Sequence, residues 1–179
     1  DSYFELGKYV EAIESYRNFS RLYPKSDKRE HALYRIGESF WQESPTAINR
    51  DQTSTKSACD SWREFILEYP KSSLVDKAKR FILECEKKVL ESMYFVADYY
   101  CKQSLWHSCA YQYEQIAKEF PKNKSSLKIA LQKAAESLEK MLDDKESRDN
   151  IYFRTMTVDD IKNKIKKMKD RSLLINTKS

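Results

Sequence analysis

The stretch TKSACDSWREFILEYPKS at residues 55–72 occurs in two further versions, YVEAIESYRNFSRLYPKS at 9–26 and WHSCAYQYEQIAKEFPKN at 106–123. Each version has a small residue twelve positions before its proline and an aromatic residue eight positions before it. A large apolar residue lies five positions before the proline, and a second aromatic residue directly precedes it. Residues three or four apart share one helix face. Proline cannot continue a helix and disfavours helical geometry in the residue before it. Each version is therefore predicted to be a helix that ends just before its proline.

This order of residue types is that of the second helix in a tetratricopeptide (TPR) repeat, where a first helix precedes it. Before the middle version, DKREHALYRIGESFW at 27–41 has the pattern of a first helix, and Asp27 and Glu30 are predicted to form its capping box. The corresponding helix of the third repeat is predicted to begin at Ser73. Only DSYFE precedes the first turn, at residues 6–8, so we expect that upstream sequence is missing.

The spacing between the prolines exceeds the roughly 34 residues of a standard repeat. Pro24 and Pro70 are 46 residues apart, and Pro70 and Pro121 are 51 apart. The loop QESPTAINRDQT at 42–53 accounts for the first excess. No loop accounts for the second, because apolar residues recur at helical spacing without a break. We therefore predict one long helix over 73–102, which would join two parts of the stack rigidly.

Two more helices are predicted after the third proline. Residues 125–142 form an amphipathic segment, and residues 143–157 form a linker. Thr157 and Asp160 make a capping box for a last helix over 158–170, whose apolar face carries Ile161, Ile165 and Met168.

The whole chain is accordingly predicted to be all-α. Only two Gly and four Pro interrupt 179 residues rich in Lys, Glu, Leu and Ala. The predicted architecture is a TPR-like α-solenoid of stacked helical hairpins over 1–142, with a basic helix and tail over 158–179. A stack of this kind presents a surface for another polypeptide, so a binding function is expected.

Charge and residue content exclude several other functions. The net charge is +5, and residues 145–179 hold 10 basic and 5 acidic residues, so the tail carries the whole excess. A basic face for nucleic acid on the body is therefore not expected. His31 and His107 are isolated, and no Gly-rich turn presents a nucleophile or cradles a phosphate. We predict no catalytic residue, no metal and no cofactor, and hence a protein that is not an enzyme.

The four cysteines lack the spacing of a zinc site or a CxxC redox motif. Cys59, Cys85 and Cys109 lie on predicted apolar faces or beside Ala, which favours small buried core residues. Cys101 and Cys109 flank a short turn, so a disulfide between them is an open alternative.

Residues 50–121 resemble the BamD (YfiO, ComL) family of outer-membrane assembly lipoproteins. The resemblance rests on the Arg50-Asp51-Gln52-Thr53 loop before a helix that ends in Tyr-Pro, on Val-Ala-Asp-Tyr-Tyr at 96–100 within a long helix, and on the following helix that ends in Phe120-Pro121. It extends over about residues 1–142. The basic segment from 145 onward has no clear counterpart in the family.

The resemblance implies a non-catalytic scaffold at the periplasmic face of the bacterial outer membrane. A lipidated N-terminal Cys, absent from this chain, would anchor it. The implied partners are proteins: a BamA-like β-barrel assembly subunit docking on the C-terminal repeats, other assembly lipoproteins, and unfolded outer-membrane protein segments received by the N-terminal repeats. A TPR adaptor or chaperone of another cell-envelope or secretion pathway is the alternative, because a fold does not fix a function.

Two places are candidates for partner binding. One is the loop residues Arg50, Asp51, Gln52 and Thr53; the alternative is that Arg50 and Asp51 brace the loop while Thr53 caps the next helix. The other is Gln112 and Glu114, on the second helix of the last repeat. Family members often have an arginine, linked to the BamA contact, where this chain has Gln112, so the salt bridge of that contact is not carried over. The alternative there is a solvated helix face. The basic run at 162–171 could likewise contact anionic lipid or lie in solvent.

Overall fold

A computed structural model describes residues 1–144 and 156–176. These residues form eight helices and no strand, which confirms the all-α prediction. The helices are α1 (Ser2–Glu5), α2 (Tyr9–Leu22), α3 (Arg29–Glu43), α4 (Thr53–Glu68), α5 (Val75–Lys102), α6 (Trp106–Glu119), α7 (Lys124–Asp143) and α8 (Val158–Asn176).

The chain divides into two compact units, Asp1–Ser92 and Met93–Ser179. In the first unit α2 packs on α3 and α3 on α4; in the second α6 packs on α7 and α7 on α8. Successive helices thus pair within each unit, as in a TPR-like stack. The long helix predicted over 73–102 is confirmed as α5, and its residues belong to both units. The predicted division into 1–142, 143–157 and 158–179 stays a prediction, because residues 145–155 lie outside the described part.

The prolines end the second helices as predicted. Helices α2, α4 and α6 each stop one residue before an aromatic cap, which then precedes the proline. Tyr23, Tyr69 and Phe120 have φ values of −124°, −124° and −116°, outside the helical range. Each still donates its backbone N–H to the carbonyl four residues earlier. Each cap thus closes the last turn and directs the chain away from the helix.

The serine of Tyr-Pro-Lys-Ser starts the next helix, and here the predicted capping box was wrong. Ser26 Oγ accepts a hydrogen bond from Lys28 N at 3.3 Å, whereas Asp27 makes no side-chain cap. Glu30 does not reach back; its carboxylate accepts a bond from the Ser72 hydroxyl. The Ser26 hydroxyl thus closes the turn that leads into α3, as serine side chains commonly do two residues before a backbone N–H.

The core of the first unit is built around Trp62, which is fully buried. Its indole stacks on Phe81 with ring centroids 4.7 Å apart and planes 14° apart. Gly37 lies against the same indole, where an added Cβ would sit 2.5 Å from Trp62 Nε1. No side chain larger than hydrogen fits between α3 and this ring.

The second unit contains a disulfide between Cys101 and Cys109, with Cα atoms 5.0 Å apart. It spans the turn between α5 and α6, where Ser104 has a positive φ of 56°. Of the two alternatives left open for this pair, the structure shows the bridge. Cys59 and Cys85 are free and buried, as small core residues would be.

The C-terminal capping box is confirmed. Thr157 N donates to Asp160 Oδ2 at 3.0 Å, and Asp160 N donates to Thr157 Oγ1 at 3.1 Å. The predicted apolar face is buried on the inner side of α8. The helix runs to Asn176 rather than ending at residue 170. Ser172, only 3% exposed, continues the buried face by one turn.

Candidate partner-binding surfaces

The loop before α4 is held together by Gln52, the only one of its four candidate residues that is buried. Its amide nitrogen donates to the carbonyls of Ala47 and Arg50, at 3.0 and 3.1 Å. Its Oε1 accepts a bond from the buried Thr55 hydroxyl at 2.6 Å. Gln52 therefore has a structural role, since it fixes the loop to the start of the helix.

The predicted cap at Thr53 is wrong. Asp51 Oδ1 accepts the bond from Thr53 N at 2.7 Å, and Gln52 is the residue before the helix. Hydrogen bonds from the Thr53 side chain and backbone lower the pKa of Asp51. Asp51 provides the bracing that was predicted for it, because an Asp side chain readily bonds the backbone two residues on.

Arg50 is exposed at the edge of this loop and makes no ion pair with any described residue. Its backbone carbonyl is used by Gln52, while its guanidinium projects from an ordered backbone. A partner that contacts this side chain has to order the arginine itself but not the loop backbone, which Gln52 and Asp51 already hold. Of the four loop residues, Arg50 is the one best placed for binding.

The second candidate, on α6, is partly occupied by the chain's own C-terminal helix. Glu114 Oε1 forms an ion pair with Lys164 Nζ of α8 at 2.7 Å. The Glu114 side chain is 24% exposed and that of Lys164 is 32% exposed. Gln112, two residues earlier, is half-buried. Sequence reasoning missed this pair, because the two residues are far apart in the chain and each looks like a solvated helix position.

Two buried tyrosines each donate to an aspartate fifteen residues earlier. Tyr113 bonds Asp98 Oδ1 at 2.5 Å, and Tyr16 bonds Asp1 Oδ1 at 2.5 Å. Burial, followed by the bond to Asp98, raises the pKa of Tyr113, so its proton stays on the phenol. The shared offset was a signal in the sequence that the repeat alignment did not use.

A groove of about 300 Å³ opens between α1, α2 and α3 in the first unit. Its walls are mostly apolar and aromatic, formed by Tyr3, Ala12, Tyr16, Phe19 and Ala32. The charged or titratable residues at its edge are Asp1, Lys28 and His31. His31 Nε2 lies 3.2 Å from Asp1 Oδ1. Burial, and then the nearby Arg35, lower the pKa of His31. The groove can hold an aromatic side chain of an extended peptide.

A second groove, of about 530 Å³, lies between α6 and α8 and is here called the α8 groove. Its charged residues are mostly basic, and its floor is apolar. The lining residues are Glu114, Gln115, Ala117, Lys118, Pro121, Leu131, Lys164, Lys167, Met168 and Arg171.

The sequence matches the YfiO family, outer membrane lipoprotein, over residues 1–152. The chain belongs to the YfiO family. The match spans α1 to α7 and thus both candidate surfaces, and the family expected from residues 50–121 is confirmed.

Helix α8 lies beyond the residues that match the YfiO family. No curated protein matches the sequence. Within the described ranges, 1–144 and 156–176, no helix combines the length and apolar character of a membrane span. The same residues contain no group of three or more His, Cys, Asp or Glu side chains that could hold a metal ion.

Proposed function

We propose that this YfiO-family protein is a non-catalytic scaffold of the outer-membrane β-barrel assembly machinery. It docks on the periplasmic domain of a BamA-like subunit and receives segments of unfolded barrel proteins. The family match over residues 1–152 carries the proposal. Packed helical hairpins support it, because rigid helices hold side chains in place for a protein ligand.

The disulfide supports the proposed location at the periplasmic face of the outer membrane. Disulfides persist in oxidising compartments such as the bacterial periplasm and are rare in the cytosol. The bridge between Cys101 and Cys109 is therefore the pairing expected of a protein exported from the cytosol.

Docking is assigned to the two candidate surfaces. In the first unit Arg50 offers an exposed cation on a loop that Gln52 and Asp51 hold in place. In the second unit Gln112 offers an amide on α6. The N-terminal groove beside Tyr16 is assigned to the incoming segment, whose aromatic side chain it would enclose while polar edge residues bond its backbone.

The experiment is recovery of a tagged copy of the protein from solubilised outer membranes, followed by identification of what comes with it. We expect a BamA-like β-barrel subunit. A preparation that yields the tagged protein in quantity without such a subunit would refute the proposal.

Direct titration with the periplasmic domain of that subunit then locates the contact. Arg50→Ala and Gln112→Ala are each expected to weaken binding at least fivefold. Arg80→Ala on α5 and Gln132→Ala on α7 remove the same groups from exposed positions and serve as matched controls. Equal losses from test and control variants would show that the contact lies elsewhere.

A further inference from the structure

The α8 groove has an unbalanced positive charge. Lys164 is neutralised by Glu114, the only acidic residue among the described residues that line the groove. Lys118, Lys167 and Arg171 make no ion pair within the described residues 1–144 and 156–176. Three cations therefore share one groove, and like charges held together favour an anionic ligand.

The rest of the groove is apolar rather than polar. Ala117, Pro121, Leu131 and Met168 line it, and Gln115 is the one uncharged polar side chain among its described lining residues. An extended peptide would need several hydrogen-bonding groups for its backbone. A ligand with one concentrated anionic group and an attached hydrocarbon part fits these walls better.

The end of α8 adds exposed apolar surface beside these cations. Leu173 and Leu174 are 63% and 62% exposed. Leu174 follows Arg171 by three residues and therefore lies on the same helix face. Basic side chains next to exposed leucines on one side of a helix are typical of helices that lie at a membrane surface.

We propose that the α8 groove binds the phosphate headgroup of an anionic phospholipid in a membrane surface. Lys118, Lys167 and Arg171 surround the phosphate, while Leu174, on the same face of α8 as Arg171, enters the interface beside it. This site lies outside the match to the YfiO family, since α8 begins after residue 152. It would add a second membrane contact to a lipoprotein and does not require the protein partner proposed above.

The test is flotation of the full 179-residue chain with vesicles of phosphatidylcholine, alone or mixed with phosphatidylglycerol. We expect binding to the mixed vesicles only. Lys167→Gln combined with Arg171→Gln is expected to weaken it about 25-fold, since each basic residue near an anionic surface contributes about fivefold. Leu174→Ser is expected to weaken it severalfold. Circular dichroism of each variant checks that the helices are retained.

The matched control is Lys25→Gln combined with Lys71→Gln, which removes the same charge from exposed positions in the first unit. If this control variant loses as much vesicle binding as the Lys167 and Arg171 variant, the binding depends only on net charge, and the proposed site is overturned. Poly-glutamate and inorganic phosphate are then added as competitors. The opposite outcome is a protein that binds poly-glutamate tightly, loses that binding in the Lys167 and Arg171 variant, and fails to float with anionic vesicles. That combination would overturn the lipid site and assign the groove to an acidic protein. Because no protein partner is present, either result leaves the proposed scaffold function unaffected.

Discussion

The middle repeat and the two outer repeats fill the same core position in different ways. In the outer repeats Tyr16 and Tyr113 each donate to an aspartate fifteen residues earlier. In the middle repeat Trp62 stands at that position, and its indole N–H has no partner among the described residues. The outer repeats thus join their two helices by a charged hydrogen bond, while the middle repeat relies on ring packing.

The long loop explains the difference. Fifteen residues before Trp62 the chain has Ala47, which lies in the loop between α3 and α4, residues 44–52, rather than in a helix. Ala47 has no carboxylate that could accept a bond as Asp1 and Asp98 do. The larger ring of Trp62 fills the space, stacks on Phe81 and contacts Gly37. An insertion in one loop therefore changes which kind of interaction stabilises the neighbouring core.

Of the substitutions that distinguish the middle repeat from the outer repeats, the one at Trp62 should have the largest effect on stability. Trp62→Ala should lower the free energy of unfolding by about 3–5 kcal/mol, because it removes a fully buried ring and leaves a cavity. Urea unfolding followed by circular dichroism measures this loss. Leu67→Ala, on the same helix but 82% exposed, is the control and should change stability by less than about 0.5 kcal/mol. Similar losses from both would refute packing as the source of stability here.

The middle repeat does have a polar link, at Glu38. Burial opposes ionisation of this carboxyl group, but hydrogen bonds from Arg35 and Lys77, at 2.9 and 3.1 Å, outweigh it and lower the pKa of Glu38 below its ordinary value. A lowered folded-state pKa gives stability that is present above the unfolded-state pKa and lost as the pH falls through the folded-state pKa.

Glu38→Gln should therefore lower the free energy of unfolding by about 1–3 kcal/mol at neutral pH. The difference from the unaltered protein should vanish in acid, below both pKa values. Urea unfolding at a series of pH values measures it, and Glu64→Gln on the exposed side of α4 is the control. A difference independent of pH would show that the loss is steric and not electrostatic.

The outer repeats should respond to removal of the phenol hydroxyl. Tyr113→Phe is expected to lower the free energy of unfolding by about 1–2 kcal/mol, since it breaks one hydrogen bond to a carboxylate. Tyr16→Phe also removes the acceptor of a 3.3 Å bond from Arg35 Nε. It should still cost somewhat less, because the Asp1 side chain is 62% exposed and keeps its contacts with His31 and Arg35. Thermal unfolding of both variants tests this order. Tyr111→Phe, half-exposed on the same helix as Tyr113, should have no measurable effect.

The smallest predicted effect concerns the turns that precede the outer repeats. Ser104 and Gly7 both follow an aspartate by six residues, and both have positive φ, 56° and 70°. Only glycine adopts this geometry without strain. Ser104→Gly should raise the free energy of unfolding by about 0.5–1 kcal/mol, and Gly7→Ala should lower it by about 1 kcal/mol. A destabilising Ser104→Gly would show that the two turns are not equivalent.

Most of the fold could be predicted because the repeat signal is local. The aromatic-proline ends of α2, α4 and α6 follow from residues within one helix. The unbroken apolar spacing likewise gave α5 to within two residues of its start. The end of α8 was missed, since Leu173 and Leu174 do not continue its apolar face, although Ser172 does.

The candidate sites were harder to predict, because they depend on contacts between distant parts of the chain. The ion pair between Glu114 and Lys164 joins α6 to α8, and α7 lies between them in the chain. Gln52 was taken as a candidate contact, whereas its side chain is buried under its own loop. Glutamine side chains are mostly exposed in proteins. Gln52 is buried only because the surrounding loop backbone folds over it, which the sequence does not reveal.

The contact between Gly37 and Trp62 also constrains how this protein can change. A methyl group at 37 would collide with the indole, while a smaller ring at 62 would leave a hole beside the glycine. Neither residue can be substituted alone without loss of stability. Evolutionary change at these two positions must therefore proceed through paired substitutions. Among sequences that share this scaffold, glycine and tryptophan should therefore appear and disappear together.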